Sequence, residues 1–545
     1  MKLVFFNVKL FSSIVILYEM DLKTVQEQSK DETIDTKDQM QILEEALTLC
    51  KFGKFHLRLL AATLCAGVAL MMVTTTTSYI LPIAECDLNM NILHKGILNG
   101  MPFFGQIGAS LFAGFLIDSF GRRIFLVGGN AIIFICTIIE GSSQNYIMLL
   151  MTKLFEGIAL SLCFSAISSY LTELCHLKVR DRLLIMYSGF ISIALIIAAL
   201  LAWAILPLEF NYSILDGYFQ LHSWNLFLYV CSVWSLFAFI LYLSLPETPK
   251  YLLSHGREKE ALEVLKGIYS ENSGNNRDTF PVKSLNISGN IKPTKEISLK
   301  KQIVTSLFEA KELFRKPLVF KLILFSFITF ACLIVFTSLR LWYPQISTII
   351  ENYGKDNGNS ARFCVMINDY MQDLKPVITN ATETLECVPK ISGSETYMNG
   401  IILGIAAVIS VGISGLLVDY IGQKVLMFII LILSTMCSSV LYWTNAPLQI
   451  AILISCSVSL LQAALCLQQN IFVRFFPTNL RALAVSIIIM IGRIGSLTGN
   501  IIFPILLNVG CMAPFILASV VPLGIAILVY FLPNVSKDNK KTGDK

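Results

Sequence analysis

Apolar runs of about the same length recur along this chain, each closed by a short polar stretch. In the first half they lie near 58–83, 96–117, 124–143, 147–171, 184–206 and 224–245. In the second half they lie near 320–342, 397–417, 424–443, 448–471, 482–506 and 511–532. About 20 apolar residues let an α-helix cross the hydrocarbon core. Lipid offers the backbone no hydrogen-bond partners, so a single spanning segment must be helical. The pattern therefore predicts an all-α membrane protein with twelve transmembrane helices in two pseudo-symmetric six-helix bundles, and an even count puts both ends on one side.

The polar stretches set the expected organisation. Residues 1–57 read as a cytoplasmic N-terminal tail: Met1–Met20 resembles a poor signal peptide, broken by Lys2, Asn7 and Lys9, and Asp21–Glu45 is charged enough to be disordered at least in part. The bundles occupy 58–245 and 320–532, with a cytoplasmic linker over 246–319, an outer loop over 343–396 and a C-terminal tail over 533–545. In the linker, Ala261, Leu262, Leu265 and Ile268 recur at helical spacing, which predicts a surface-lying amphipathic helix over 257–269. Asn272–Lys295 is rich in Asn, Ser, Gly and Lys and reads as a mobile linker.

Composition sharpens the class. Only 14% of the residues are charged, against about a quarter in soluble domains. The net charge of +5 gathers in the tails and in loops at one end, which suits anionic lipid heads rather than nucleic acid. The sequence has no phosphate-binding loop, no zinc-ligand spacing and no nucleophile elbow. No enzyme activity, cofactor or metal is expected, and a monomer in the bilayer is.

The chain also repeats itself. Gly114–Arg123 joins the second and third runs by a tight basic turn, and Gly415–Lys424 does the same 301 residues later; Arg180 and Arg481 are separated by the same interval. A half-chain repeat in a membrane protein points to a transporter built from two related bundles. Short loops at one end hold Arg122, Arg123, Lys178, Arg180, Arg182, Lys424, Arg474 and Arg481, while those at the other hold only Lys95. That bias predicts cytoplasmic termini, in the plasma membrane or an intracellular vesicle. The sequons at Asn211 and Asn380 fall in loops expected outside, where glycosylation is possible, and Cys364 and Cys387 of the outer loop are expected to pair as a disulfide.

Several side chains carry possible chemistry. Asp118 is expected to dock on the free N–H groups at the start of span 11, with Asp419 its symmetry mate near Arg180, latching the bundles together when the solute site faces outward. Arg122, Arg123, Glu173, Arg180, Glu247, Arg474 and Arg481 are expected to form gating pairs beside these latches. Arg493 lies about 18 Å into span 11 at 1.5 Å per residue, near the midplane, and must face a cavity or a partner. Lys153 and Glu156 share one face of span 4. They form either a self-neutralising pair or a proton-coupling site in which the lysine tunes the carboxylate. Tyr79, Gln106 and Gln462 are polar candidates for the solute cavity.

The turn spacing Gly-x-x-x-Asp-x-x-Gly-Arg-Arg resembles the signature loop of the major facilitator superfamily. Tyr79–Asp87, Ser223–Trp224, Pro246–Leu252, Phe476–Arg481 and Gly492–Asn500 resemble the synaptic vesicle glycoprotein 2 family, in its insect, transporter-like form, over residues 41–535. The resemblance implies a twelve-span major facilitator fold related to organic-ion transporters. It also implies that an arginine at position 493 favours anionic or zwitterionic solutes. Lys153 stands where the superfamily usually has arginine, Asn225 replaces the arginine after Ser–Trp, Gln423 replaces the first arginine of the second turn, and Cys175–His176 replaces a proline before Arg180. These departures bear on proton coupling at span 4 and on the symmetry of the latch. The expected activity is secondary active transport of a small organic solute by alternating access, with H+ or another ion as a coupling partner. The alternative is a non-transporting vesicle membrane protein that keeps the fold for trafficking or partner binding.

Overall fold

The computed structural model describes residues 40–208, 210–214, 219–285, 312–357, 361–373 and 392–530. Twelve helices among them are long and apolar enough to cross a membrane. Spans 1–6 are Lys54–Ile80, Ile92–Phe120, Arg122–Gly141, Tyr146–Leu174, Leu177–Ile205 and Ser223–Leu243. Spans 7–12 are Leu318–Asn357, Ser394–Ile421, Gln423–Val440, Pro447–Phe475, Thr478–Val509 and Met512–Tyr530. Each coincides with one of the apolar runs. Large apolar side chains such as Phe112, Ile135, Phe237, Ile323, Leu416 and Val520 stay exposed, as lipid-facing positions do.

The two halves have separate cores. Val68, Ile80, Leu98, Ala198, Phe227 and Leu228 belong to one; Phe325, Trp342, Leu431, Leu461, Ile488 and Phe515 belong to the other. Span 3 packs on span 6, and span 9 packs on span 12 in the same way. The repeated turns match in backbone conformation too. Gly121 and Gly422 sit at φ 94° and 84°, where a side chain is strained, and their N–H groups close onto Ile117 and Val418 at 3.1 and 3.0 Å.

At the end opposite Arg122 and Arg123, the halves are in contact. A Cβ on Gly96 of span 2 would lie 2.7 Å from the Asn500 carbonyl of span 11, so only glycine allows this approach. Asn99 reaches the Leu341 carbonyl of span 7 at 3.5 Å. Span 7 is longer than its apolar run. It continues to Asn357 because Ile346, Ile349 and Ile350 keep an apolar face buried, and Glu351 accepts from Gly393 N–H and Thr396 N–H at 3.1 and 3.2 Å, capping span 8. Helix Phe363–Asp373 follows. Much of the expected outer loop is therefore helical. Its disulfide also differs from expectation: Cys364 bonds Cys511 at the head of span 12, not Cys387, which lies outside the described residues. Cys86 is disulfide-bonded as well. Between spans 5 and 6, strands β1 (Asn211–Ile214) and β2 (Phe219–His222) form an antiparallel hairpin with Asn211 exposed; Asn380 is outside the described residues.

The chain divides into two compact units, one of residues 59–169, 182–245 and 298–545, the other of 1–58, 170–181 and 246–297. The second holds part of the tail and the linker. Residues 40–49 of the tail form a helix. The linker helix, Glu258–Ser273, buries Ala261, Leu265 and Ile268, with the Cys50 thiol on the Leu265 carbonyl at 3.5 Å, so protein covers its apolar stripe. Asn272, expected in a mobile linker, is an anchor: its amide donates to the Cys50 and Lys51 carbonyls at 2.9 Å and its oxygen accepts from Phe55 N–H at 3.0 Å. Every polar atom of that amide is thereby used in tying the linker to the residues before span 1 and to its first turn.

Candidate functional site

Three charged side chains meet inside the first bundle. Lys153 Nζ of span 4 lies 2.9 Å from Glu156 Oε2 on the same helix and 2.7 Å from Glu140 Oε2 on span 3. All three side chains are fully buried. Lys153 also donates to the Val73 carbonyl of span 1 at 3.1 Å, and the Thr137 hydroxyl meets Glu156 Oε1 at 2.5 Å. The expected Lys153–Glu156 pair is thus part of a triad in which one ammonium serves two carboxylates. Glu140 escapes sequence reading because it stands one residue from the end of span 3, where a surface charge is ordinary.

A second charged group lies among spans 1, 7 and 11. Arg340 of span 7 is 8% exposed; it donates to the Thr74 hydroxyl at 3.2 Å, approaches the Met71 sulfur at 3.6 Å and stands 5.5 Å over the Phe336 ring. Arg493 of span 11 is half-buried. Among the described residues no carboxylate lies within ion-pair distance of either guanidinium. Arg493 was legible as a charge deep in an apolar run. Arg340 was not, because it stands two residues before the expected end of span 7, where long cations commonly reach back to water.

The remaining candidates separate. The Tyr79 ring lies 6.3 Å from Tyr397, and its hydroxyl abuts Gly400, so it belongs to the contact between the halves. Gln106 is buried and donates to the Pro102 carbonyl of its own helix at 3.3 Å. Gln462 of span 10 reaches the Ser192 hydroxyl of span 5 at 3.4 Å. Beyond Tyr79, Lys95 is 1% exposed and bonds Glu85 and Gln345 at 2.7 and 3.2 Å, while Asp87 accepts from Trp224 and His222 at 2.7 and 3.0 Å.

At the basic end, Asp118 is exposed and paired with Arg122 of its own turn at 2.6 Å rather than docked on span 11. Arg123 donates to the Leu243 carbonyl at 2.8 Å, and Asp419 is exposed. Within the second unit, Glu173 accepts from the Thr248 hydroxyl at 2.7 Å with Lys250 at 4.0 Å, and Glu247 accepts from Thr248 N–H at 2.9 Å. Arg180 pairs with Glu44 at 2.6 Å, a partner contributed by the tail helix. Arg481 is half-buried; the Arg474 side chain lies outside the described residues.

Residues 14–352 match the family model of sugar (and other) transporters, and residues 358–545 match that of the major facilitator superfamily. The chain belongs to the major facilitator superfamily. Among curated members it is 30% identical to synaptic vesicle glycoprotein 2A of Rattus norvegicus over 243 residues, 44% of this chain and 32% of that one. It is 27% identical to synaptic vesicle glycoprotein 2C of Rattus norvegicus over 256 residues, 46% and 35% of the two. The matches thus span about a third of those relatives' length. In solved structures this superfamily member resembles the inward-open xylose transporter XylE from E. coli, with a TM-score of 0.62 at 14% identity over 89% of this chain and 98% of that one. The partially occluded inward-open form gives 0.60 at 14%, over 88% and 100%. At such identity the likeness concerns fold. Fold and family are those of transporters, which are not enzymes.

Proposed function

We propose that this superfamily member is a secondary active transporter that carries a small organic anion by alternating access, with Arg493 at the central site. One observation carries this reading: a guanidinium deep in span 11, half-buried, with no carboxylate partner among the described residues. A charge at that depth is tolerated where it meets water or a ligand. A trafficking protein that merely kept the fold has no reason to leave it unmatched. Gln462, at the join of spans 5 and 10, stands where the bundles must slide past one another.

Lys153 and Glu156 are the coupling residues in this reading, with Glu140 as a third member. Two buried carboxylates on one ammonium leave a negative charge that a proton can neutralise. Asp118, Asp419 and the basic turns gate the cytoplasmic end. Chemistry at the two ends supports this orientation: Cys364–Cys511, the bonded Cys86 and the exposed sequon Asn211 suit an oxidising exterior, and Arg122 and Arg123 suit the cytoplasm.

The test is uptake into liposomes holding the purified full-length chain, screened with labelled organic anions, cations and neutral sugars, with and without a pH gradient. Anion uptake that is lost in Arg493→Ala is expected. Uptake of cations or sugars alone, or an anion flux indifferent to Arg493, refutes the reading.

A further inference from the structure

Lys95, Gly96, Asn99 and Gly100 lie on one face of span 2, since helix positions three or four apart are neighbours. That face closes on spans 7 and 11 at the disulfide end. A Cβ on Gly96 would lie 2.7 Å from the Asn500 carbonyl and 2.9 Å from Pro504, and one on Gly100 would lie 2.8 Å from Leu497. The seam is therefore a close backbone contact. Trp342 of span 7 fills its remaining side, stacked on Phe503 with ring centroids 5.2 Å apart.

Closing this seam makes a charge-assisted bond across it, from Lys95 to Gln345 at 3.2 Å. It also buries three polar atoms without a match. Asn99 is 1% exposed, and Asn500 and Trp342 are fully buried. Asn99 Oδ1, Asn500 Oδ1 and Trp342 Nε1 meet no hydrogen-bond partner among the described residues. The amide nitrogens do little for the seam: Asn500 Nδ2 turns to the Ser496 carbonyl of its own helix at 2.9 Å, and Asn99 Nδ2 reaches the Leu341 carbonyl only at 3.5 Å. A buried donor or acceptor left unmatched loses more than an ordinary bond would contribute. A seam built only to stay shut needs no asparagine at these two places, because leucine fills a similar volume without that loss.

We infer that this seam is a balanced gate: the Lys95–Gln345 bond holds it shut, and the unmatched polar atoms of Asn99, Asn500 and Trp342 drive it open, because parting spans 2, 7 and 11 lets water reach all three. The inference rests on the alternating-access part of the reading above and is independent of the solute.

The test uses the purified full-length chain. p-Acetylphenylalanine placed at Leu93 and at Val509, which are exposed at the ends of spans 2 and 11, takes spin labels without touching the native cysteines. The distance distribution between the labels gives the ratio of parted to closed molecules. Asn99→Leu and Asn500→Leu should each lower that ratio ~5- to 50-fold, the scale of one unmatched buried group, and should melt at or above the wild type. Gln345→Leu, an equally apolar change at the same seam, should raise the ratio. Each asparagine variant is also measured on the Gln345→Leu background, where parted molecules are commoner. A folded asparagine variant whose ratio is unchanged or higher overturns the inference. Lower melting of both variants, or their failure to fold, overturns it too, because the two oxygens are then matched in the closed seam. A Gln345→Leu protein whose ratio falls shows a response to apolar surface alone and also overturns it. A seam that parts on neither background overturns it together with alternating access, whereas ratios that move as expected beside absent anion uptake overturn only the anion reading.

Discussion

Replacing Lys153 with methionine tests whether the buried triad is the polar keystone of the first bundle. The ammonium sits 2.7 and 2.9 Å from two carboxylates and 3.1 Å from a carbonyl, and none of the three charged side chains is exposed. Methionine fills much of the same volume but leaves Glu140 and Glu156 facing each other without a cation. Removing one partner from a buried ion pair costs about 3–5 kcal/mol, because the charge left behind must be neutralised or hydrated. Replacing a whole buried ionic group with neutral side chains is often close to neutral. The variants should therefore rank in an unusual order. Glu140→Gln keeps one matched pair and costs about 1 kcal/mol, the scale of one net hydrogen bond. Lys153→Met is the worst single change. The triple variant Lys153→Met with Glu140→Gln and Glu156→Gln recovers much of the loss. Thermal unfolding in one detergent, followed by loss of monodisperse protein, reads the order directly. A Lys153→Met protein as stable as the wild type, or a triple variant worse than the single, refutes the charge argument.

Four further outcomes follow from named contacts. Gly96→Val puts a Cβ 2.7 Å from the Asn500 carbonyl and 2.9 Å from the Pro504 ring, so spans 2 and 11 must part; a cysteine placed at Asn99 should then label several-fold faster from that side, and unchanged labelling in a folded protein contradicts this. Asp118→Asn removes the charge expected to latch span 2 onto span 11, so the conformer closed at the basic end should become rarer and uptake slower; unchanged uptake and unchanged accessibility at that end count against the latch. Peptide mapping without reductant should recover Cys364 joined to Cys511, and a Cys364–Cys387 peptide instead would reinstate the sequence expectation. Burial pushes the Cys50 thiol up to about 12 from an ordinary 9.0, so its thiolate is scarcer at neutral pH than that of an exposed cysteine. Maleimide should spare it until the protein is denatured, and rapid labelling of the native protein disproves its packing against Leu265.

Legibility in the sequence tracked the range of the forces involved. Lipid imposes one rule on every span, so hydropathy alone placed all twelve helices. The repeated turns were legible for a local reason: glycine at 121 and 422 permits the positive φ that both turns adopt. Arg493 stood out because nothing near it in sequence explains a charge. What stayed hidden depends on pairing across the fold. Glu140 looks like the end of a helix until span 4 is packed beside it, and Arg340 looks like a span end until the helix is seen to continue to Asn357. Glu44 looks like tail charge until a helix over 40–49 brings it to Arg180. The partner of Cys364 was misassigned because proximity in one loop is a weaker guide than the packing of helix Phe363–Asp373, where Phe363 meets Phe515 of span 12 at 4.8 Å.

The two ends of the membrane unit differ in how their charges meet water, and that difference bears on the transport cycle. At the disulfide end, Lys95 is dry and its hydrogen bond to Gln345 at 3.2 Å is made only while span 7 lies against span 2, whereas its pair with Glu85 stays within the first half. At the basic end, the Asp118 carboxylate is 71% exposed and paired within its own turn, an arrangement that survives whether or not the halves approach. Exposed pairs of that kind contribute about 0–1 kcal/mol. Closure at the disulfide end thus has a buried, charge-assisted hydrogen bond from Lys95 to Gln345 that depends on conformation, whereas the pairing seen at the basic end does not. For a carrier to turn over, its two conformers must lie within a few kcal/mol of each other. Something must then offset the Lys95 lock when that end opens. In the proposed mechanism, freeing Asp118 from Arg122 to dock on the start of span 11 would be one such term, and redistribution of charge at the Lys153 triad, which touches spans 1, 3 and 4 at once, would be another.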